Sequence, residues 1–207
     1  MDQFVGPRRV KRWLNEWHHL GMTKFRAPRL AELELLRDIE RDAGRAFAEV
    51  GMPEIANDEP LSVAKLERFA SVGHAWVATR AQDVPVAYLL SAVVDGCAHV
   101  EQVSVARSAS SRGIGALLID HLSAAAAQDG REWVTLTTFR DVPWNAPYYQ
   151  RLGFKIISAG DQGRQLAELV ARSGLGSGRL SSCRDATQNS TLSRPADEGR
   201  QGRQGRR

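Results

Sequence analysis

Along Cys97 to Val105, "CAHVEQVSV", side chains alternate with period two: His99, Glu101, Val103 and Val105 on one side, Val100, Gln102 and Ser104 on the other. That period predicts a strand. Downstream, Leu117, Leu118, Leu122, Ala125 and Ala126 recur at helical spacing, and the run closes at Asp129-Gly130, where a glycine can take the left-handed conformation that ends a helix. Earlier, Thr23–Ala27 reads as a short strand. Arg29–Phe47 reads as one or two amphipathic helices with Leu30, Leu33, Leu36, Ile39 and Phe47 inward. After a loop rich in Pro, Gly and acid, Ser62 caps a helix reaching Phe69. Ala75–Arg80 and Val84–Val94 are strands, and Asp95-Gly96 turns the second into the strand at Cys97. Trp133–Phe139 alternates and is rich in β-branched residues, Asn145 opens a short helix ended by Gly153, and Phe154–Ser158 is a further strand. Hairpins first and a strand–helix–strand unit later predict a mixed α/β sheet flanked by helices.

The ends carry less of this pattern. In residues 1–22, Val10, Trp13, Leu14 and Trp17 could share one helical face; the stretch reads as an accessory helix or as sequence upstream of a start at Met22. A helix around Gln165–Ala171 is plausible, yet no convincing strand follows it. The Gly-, Ser-, Arg- and Gln-rich run from Ser173 has too few apolar residues to offset the entropy of ordering. The expected division is an extension over 1–22, a domain over 23–158, and a segment over 159–207 that is disordered or non-native, as a frameshift would produce.

Composition changes this picture in few places. With 43% apolar and 25% charged residues, the chain is of globular type, and no run of about 18 apolar residues would span a membrane. Two cysteines and five histidines lack zinc-ligand spacing, so no metal is expected, and free thiols suit a reducing cytoplasm. The net charge of +4 belongs to the ends. Residues 1–22 hold four basic against two acidic side chains, residues 160–207 nine against five, and residues 23–159 fifteen against seventeen. Aromatic residues do not interleave with the arginines of the basic C-terminal tail, so a nucleic-acid partner is not expected. A homodimer is compatible with the sequence.

The stretch with most chemistry is "SASSRGIGALL", from Ser108 to Leu118, between the predicted strand and helix. The first turn of a helix leaves N–H groups unpaired and carries the positive end of its dipole. Gly113 and Gly115 lack the Cβ that would hold an anion away, and Arg112 adds a charge. A tight connection would use the same glycines. Neither the Lys-Ser/Thr of a Walker loop nor the third glycine of a dinucleotide fingerprint is present, which leaves a pyrophosphate bound by backbone.

In this order, "VEQVSV", "SSRGIGALL" and, about thirty residues later, "NAPYYQRLGF" resemble the GNAT superfamily of acetyl-CoA-dependent N-acetyltransferases over roughly Thr23–Ser158. The resemblance implies a largely antiparallel sheet in which two parallel strands splay to form a CoA cleft. The family's Gln/Arg-x-x-Gly-x-Gly/Ala loop aligns with Ser110, Gly113 and Gly115, and Ser110 departs from its first position. By family position, backbone groups of Ser111, Arg112, Gly113, Ile114, Gly115 and Ala116 hold the pyrophosphate. Val103, Ser104 and Val105 form the strand beside the pantetheine and thioester, and Asn145 contacts the pantetheine region. Acetyl-CoA is then the acyl donor and an amine the acceptor. Tyr149 is the acid near the sulfur, with Tyr148 a neighbour whose default role is packing. Glu101 is the base candidate, relaying a proton through water, and His99 is its rival. Trp133 and Trp144 read as core or cleft wall. A catalytically weak CoA-binding or regulatory module is the alternative to a transferase.

Overall fold

A computed structural model describes residues 24–140, 142–172 and 179–187, apart from the side chains of residues 81, 179 and 180. Seven strands form one sheet: β1 (Lys24–Arg26), β2 (Ala75–Thr79), β3 (Pro85–Val94), β4 (Cys97–Val105), β5 (Trp133–Phe139), β6 (Lys155–Ile156) and β7 (Arg179–Asp185). Their spatial order is β1-β2-β3-β4-β5-β7-β6. The β4–β5 pair is parallel and the other pairs are antiparallel. This is the mixed, largely antiparallel sheet that the sequence predicts.

Helices cover both faces. On one lie α1 (Leu33–Ala48) and α3 (Val63–Ser71), with the single turn α2 (Pro53–Ala56) between them in sequence. Leu33, Leu36, Ile39 and Leu66 pack there on Ala75, Val77, Tyr88 and Leu90. On the other lies α4 (Ile114–Gln128), whose Ile114, Leu118, Ile119, Leu122 and Ala126 pack on Ala78, Leu89, Val100, Val134 and Leu136. Ala126, 3% exposed, is the alanine of α4 buried in that cluster. Leu30, expected inward, is 66% exposed because the chain there forms a 3-10 turn before α1 begins.

The largest departure from expectation is β7. It inserts between β5 and β6, and its ladder to β5 runs from Trp133↔Asp185 to Phe139↔Arg179. The sheet therefore extends beyond Ser158, and the expectation that no strand follows is overturned. Helix α6 (Arg164–Arg172) precedes it, its start held by Asp95, whose carboxylate accepts from the Gln165 and Leu166 N–H groups at 3.0 and 2.9 Å. "RLSSCRD" escaped the period-two reading because its buried positions are polar: Ser181, Ser182 and Arg184 are buried, and the Arg184 guanidinium is held by Asp120, the Leu152 carbonyl and Ser123. The expected N-terminal extension, residues 173–178 and the tail after 187 lie outside the described residues.

A second departure lies in β4. Its register against β3 passes from Leu90↔Gln102 to Ser91↔Val100, so Glu101 is an extra, bulged residue. A bulge shifts the alternation by one. Ala98 and Val100 before it, and Val103 and Val105 after it, all pack on the α4 face. Glu101 consequently does not share a side with Val103 and Val105, as strict alternation had implied.

Candidate active site

The site begins where the ladder between β4 and β5 ends. The two strands pair at Ala98↔Val134, His99↔Thr135 and Val100↔Leu136 only, although β4 runs on to Val105 and β5 to Phe139. Beyond Val100 and Leu136 they splay. Backbone alternation then decides what faces the gap. The Ala106 N–H bonds the Val86 carbonyl across to β3 at 2.9 Å, so Ser104 also directs its backbone toward β3. Val103 and Val105 direct theirs the other way, into the splay. The Ser104 side chain points to the α1/α3 face, where its hydroxyl accepts from the Gln102 amide at 2.8 Å.

At the end of β4 the chain turns into the glycine-rich loop. Ser111 and Gly113 have φ of +60° and +72°, and Gly113 caps α4 in the left-handed region. A Cβ on Gly113 would meet nothing within 4 Å, which leaves its outer side open. The first intrahelical bond is Leu117 N–H to Gly113 C=O at 3.0 Å. The N–H groups of Ile114, Gly115 and Ala116 therefore have no helical acceptor and project from the helix start. Ser111 and Arg112 are exposed beside them. The Ser110 hydroxyl donates to the Arg107 carbonyl at 2.7 Å, so it closes the preceding turn.

Gly115 serves a different purpose from Gly113. A Cβ there would lie 3.0 Å from the Tyr148 hydroxyl and 3.6 Å from a Val105 methyl. The bare Cα lets α4 settle against β4 and against α5 (Asn145–Arg151). Tyr148 thus packs under the first turn of α4. Tyr149 meets the Tyr148 ring edge-on at 5.2 Å and the Phe154 ring at 5.8 Å, and its hydroxyl makes no hydrogen bond among the described residues. Burial raises the pKa of its phenol, with Tyr148 adding to the shift, so the group is held as a proton donor. Asn145 is half-buried at the start of α5, its N–H bonded to the Val142 carbonyl.

Helix α1 crosses the open end of the splay. Asp42 accepts from the Arg107 N–H just after β4 at 2.7 Å. Phe47 packs edge-on against Phe139 at the end of β5, with ring centres 5.5 Å apart, and lies 6.4 Å from Trp144. Trp144, 40% exposed, is therefore cleft wall, whereas Trp133 lies at the far end of β5.

The two base candidates differ in surroundings. His99 is 4% exposed, its Nδ1 lies 2.9 Å from the Thr135 hydroxyl, and burial pushes its pKa down to about 4. Glu101 faces an open groove of about 750 Å³ between α3 and the β3–β4 hairpin, and partial desolvation there raises its pKa. Under the groove, Tyr88 donates to Glu40 at 2.6 Å and hydrogen-bonds Ser104, which in turn holds Gln102. This chain fixes the strand next to the bulge.

The acetyltransferase (GNAT) family model matches residues 33–154. The chain belongs to that family. Its fold agrees with solved GNAT structures. An acetyltransferase of the GNAT family from Listeria monocytogenes 4b F2365 superposes with a TM-score of 0.60 at 12% identity, over 79% of this chain and 94% of that one. The ribosomal-protein-S18-alanine N-acetyltransferase from Escherichia coli gives 0.57 at 14%, over 81% and 96%. PaiA N-acetyltransferase from Thermoplasma acidophilum, solved with coenzyme A, gives 0.56 at 14%, over 79% and 98%. At such identities the likeness is one of fold. Within this GNAT chain, Phe47 and Phe139 at the splay and Glu40 and Tyr88 at the groove were not singled out as site residues from sequence, because only tertiary packing brings them together. No helix among the described residues is long and apolar enough to cross a membrane, and no cluster of three metal-ligating side chains occurs among them.

Proposed function

We propose that the chain transfers an acetyl group from acetyl-CoA to a primary amine of a small molecule or protein by direct attack. The observation that carries this reading is the conjunction of the splayed β4–β5 pair with the open Gly113 cradle at the end of the same strand. A pyrophosphate fits the cradle because free N–H groups, the helix dipole and Arg112 converge on a position that no Cβ occupies. Val103 and Val105 present backbone donors and acceptors along the splay, where an extended pantetheine arm can pair as a strand would. Asn145, at the opposite lip, would contact the same arm.

In the reaction the amine nitrogen bonds to the acetyl carbon and the carbon–sulfur bond breaks. A backbone N–H of β4 stabilises the negative charge that develops on the carbonyl oxygen. Glu101 takes the amine proton through water, in its carboxylate form. His99 is the weaker choice for this role: it is buried, occupied by Thr135 and poorly basic. Tyr149 donates a proton to the departing thiolate, and the aromatic wall of Phe47, Phe139 and Trp144 limits water around the thioester. The test is free-thiol release from acetyl-CoA across a panel of amines. Release that depends on the amine supports the transferase; acetyl-CoA binding with no release from any amine contradicts it and leaves a CoA-binding module.

A further inference from the structure

The groove beside Glu101 has a charge arrangement that acetyl transfer as such does not require. One wall is a single stripe of α3, in which Lys65, Arg68, Phe69 and Val72 follow at helical spacing. The opposite wall is the bulge, with Glu101 and Gln102. Three other carboxylates reach the groove, and each is engaged within the protein. Glu40 accepts from the Tyr88 hydroxyl at 2.6 Å and from the Leu61 backbone. Glu59 pairs with Arg37 at 2.7 Å and Arg41 at 3.5 Å. Asp58 accepts the Glu59 N–H at 3.1 Å. By contrast, Lys65 and Arg68 are exposed and make no ion pair among the described residues, and Glu101 has no hydrogen-bond partner there either. Glu40 and Asp58 keep their charge but each accepts a hydrogen bond from within the protein, and Glu59 is ion-paired, so the groove's charged groups without an internal partner among the described residues are one carboxylate at the β4 end, Glu101, and two cations along the α3 wall, Lys65 and Arg68.

We propose that the acceptor is a small amine that also carries an anionic group, a carboxylate or a phosphate, with its amine at Glu101 and its anion at Lys65 and Arg68. This inference rests on the acetyl-transfer reading above and adds the acceptor's chemistry to it. A groove of about 750 Å³ is of the size that takes a small ligand. Phe69 and Val72, the apolar members of the stripe, add apolar surface to the groove against which a short carbon chain can lie. A diamine would bring a second cation against Lys65 and Arg68, which disfavours it.

The experiment compares acceptors of matched length on the full chain: 4-aminobutyrate, 1,4-diaminobutane and butylamine, with glycine and 6-aminohexanoate as length controls and 3-aminopropyl phosphate as the phosphate arm. The expected order in kcat/KM is anionic above neutral above dicationic, with the carboxylate and phosphate arms deciding which anion is read. The double variant Lys65→Glu/Arg68→Glu is expected to lower kcat/KM for the anionic acceptors by about tenfold or more, chiefly through KM, and to narrow the gap to the diamine. Acetyl-CoA affinity, measured by calorimetry, is expected to hold in that variant and confirms that it folds. A wild-type preference for the diamine or butylamine, or an unchanged order in the double variant, overturns this inference while the transferase stands. Acetyl-CoA binding with no turnover of any amine overturns both.

Discussion

The Arg184 guanidinium on β7 lies 2.8 Å from the Asp120 carboxylate on α4, with side-chain exposures of 0% and 9%. It also donates to the Leu152 carbonyl at 3.1 Å and to the Ser123 hydroxyl, and it sits 5.3 Å from the centre of the Phe154 ring. One side chain thus ties the last described strand to the helix whose first turn is proposed to hold the pyrophosphate. Breaking a buried pair by removing one partner leaves a charge without compensation, whereas removing both costs far less. Arg184→Met is therefore expected to lower stability by about 3–5 kcal/mol, and Arg184→Met/Asp120→Leu to recover a large part. Urea unfolding of the two variants checks this; a single-variant loss under about 1 kcal/mol would make the pair incidental.

Gly113 tests the cradle. At φ +72° a β-branched residue is strained by about 1–2 kcal/mol, and its side chain would project into the space assigned to the pyrophosphate. Gly113→Val is expected to abolish the rise in thermal midpoint caused by acetyl-CoA while leaving a cooperative transition. A preserved rise would remove the cradle from the account.

Tyr149 and Tyr148 adjoin but are assigned different roles. Tyr149→Phe deletes a hydroxyl needed only as the thiolate departs, so kcat is expected to fall by about 100-fold or more, of the order general-acid catalysis contributes, with acetyl-CoA affinity held. Tyr148→Phe loosens the contact under Gly115 and is expected to act on acetyl-CoA binding first. Reversal of the two phenotypes in steady-state kinetics and calorimetry would exchange the assignments.

Glu101 gives the pH dependence. A general base works as the carboxylate, and partial desolvation raises its pKa, so activity is expected to be lost as pH falls through a value above the ordinary glutamate range. The charged and titratable groups sharing the groove are Glu40, Asp58, Glu59, Lys65, Arg68 and His74. In Glu101→Gln the acid limb of kcat/KM set by this carboxylate is expected to disappear, with the rate lowered most above that pKa and least below it, where the parent's Glu101 is already protonated. His99→Gln is expected to leave the limb in place, because a histidine with a pKa of about 4 is neutral throughout that range. A limb unchanged by Glu101→Gln and removed by His99→Gln would reverse this choice.

What could be read from the chain followed from how local each signal is. The glycine-rich turn into α4 was legible because Gly113 and Gly115 act through their own backbone and immediate neighbours, whereas Tyr149 was reached only through the family resemblance. The bulge at Glu101 was not, since period two continues through it in sequence and only the partner strand reveals the extra residue. Strand β7 was missed for a related reason: Arg184 looks like a surface residue until Asp120, Leu152 and Ser123 are gathered around it. The groove beside Glu101 was equally hidden, because α1, α3 and the β3–β4 hairpin each supply part of a lining that no single segment outlines.

Direct transfer without an acyl-enzyme is the central claim, and the intact mass of the protein during turnover tests it most directly. With acetyl-CoA alone, the protein mass is expected to stay unchanged and no free thiol to appear. On adding an accepted amine, free CoA and acetylated amine are expected in a one-to-one ratio, still without a change in protein mass. A protein species heavier by one acetyl group, formed before the amine is added and discharged by it, would contradict the account and place a covalent intermediate in the path.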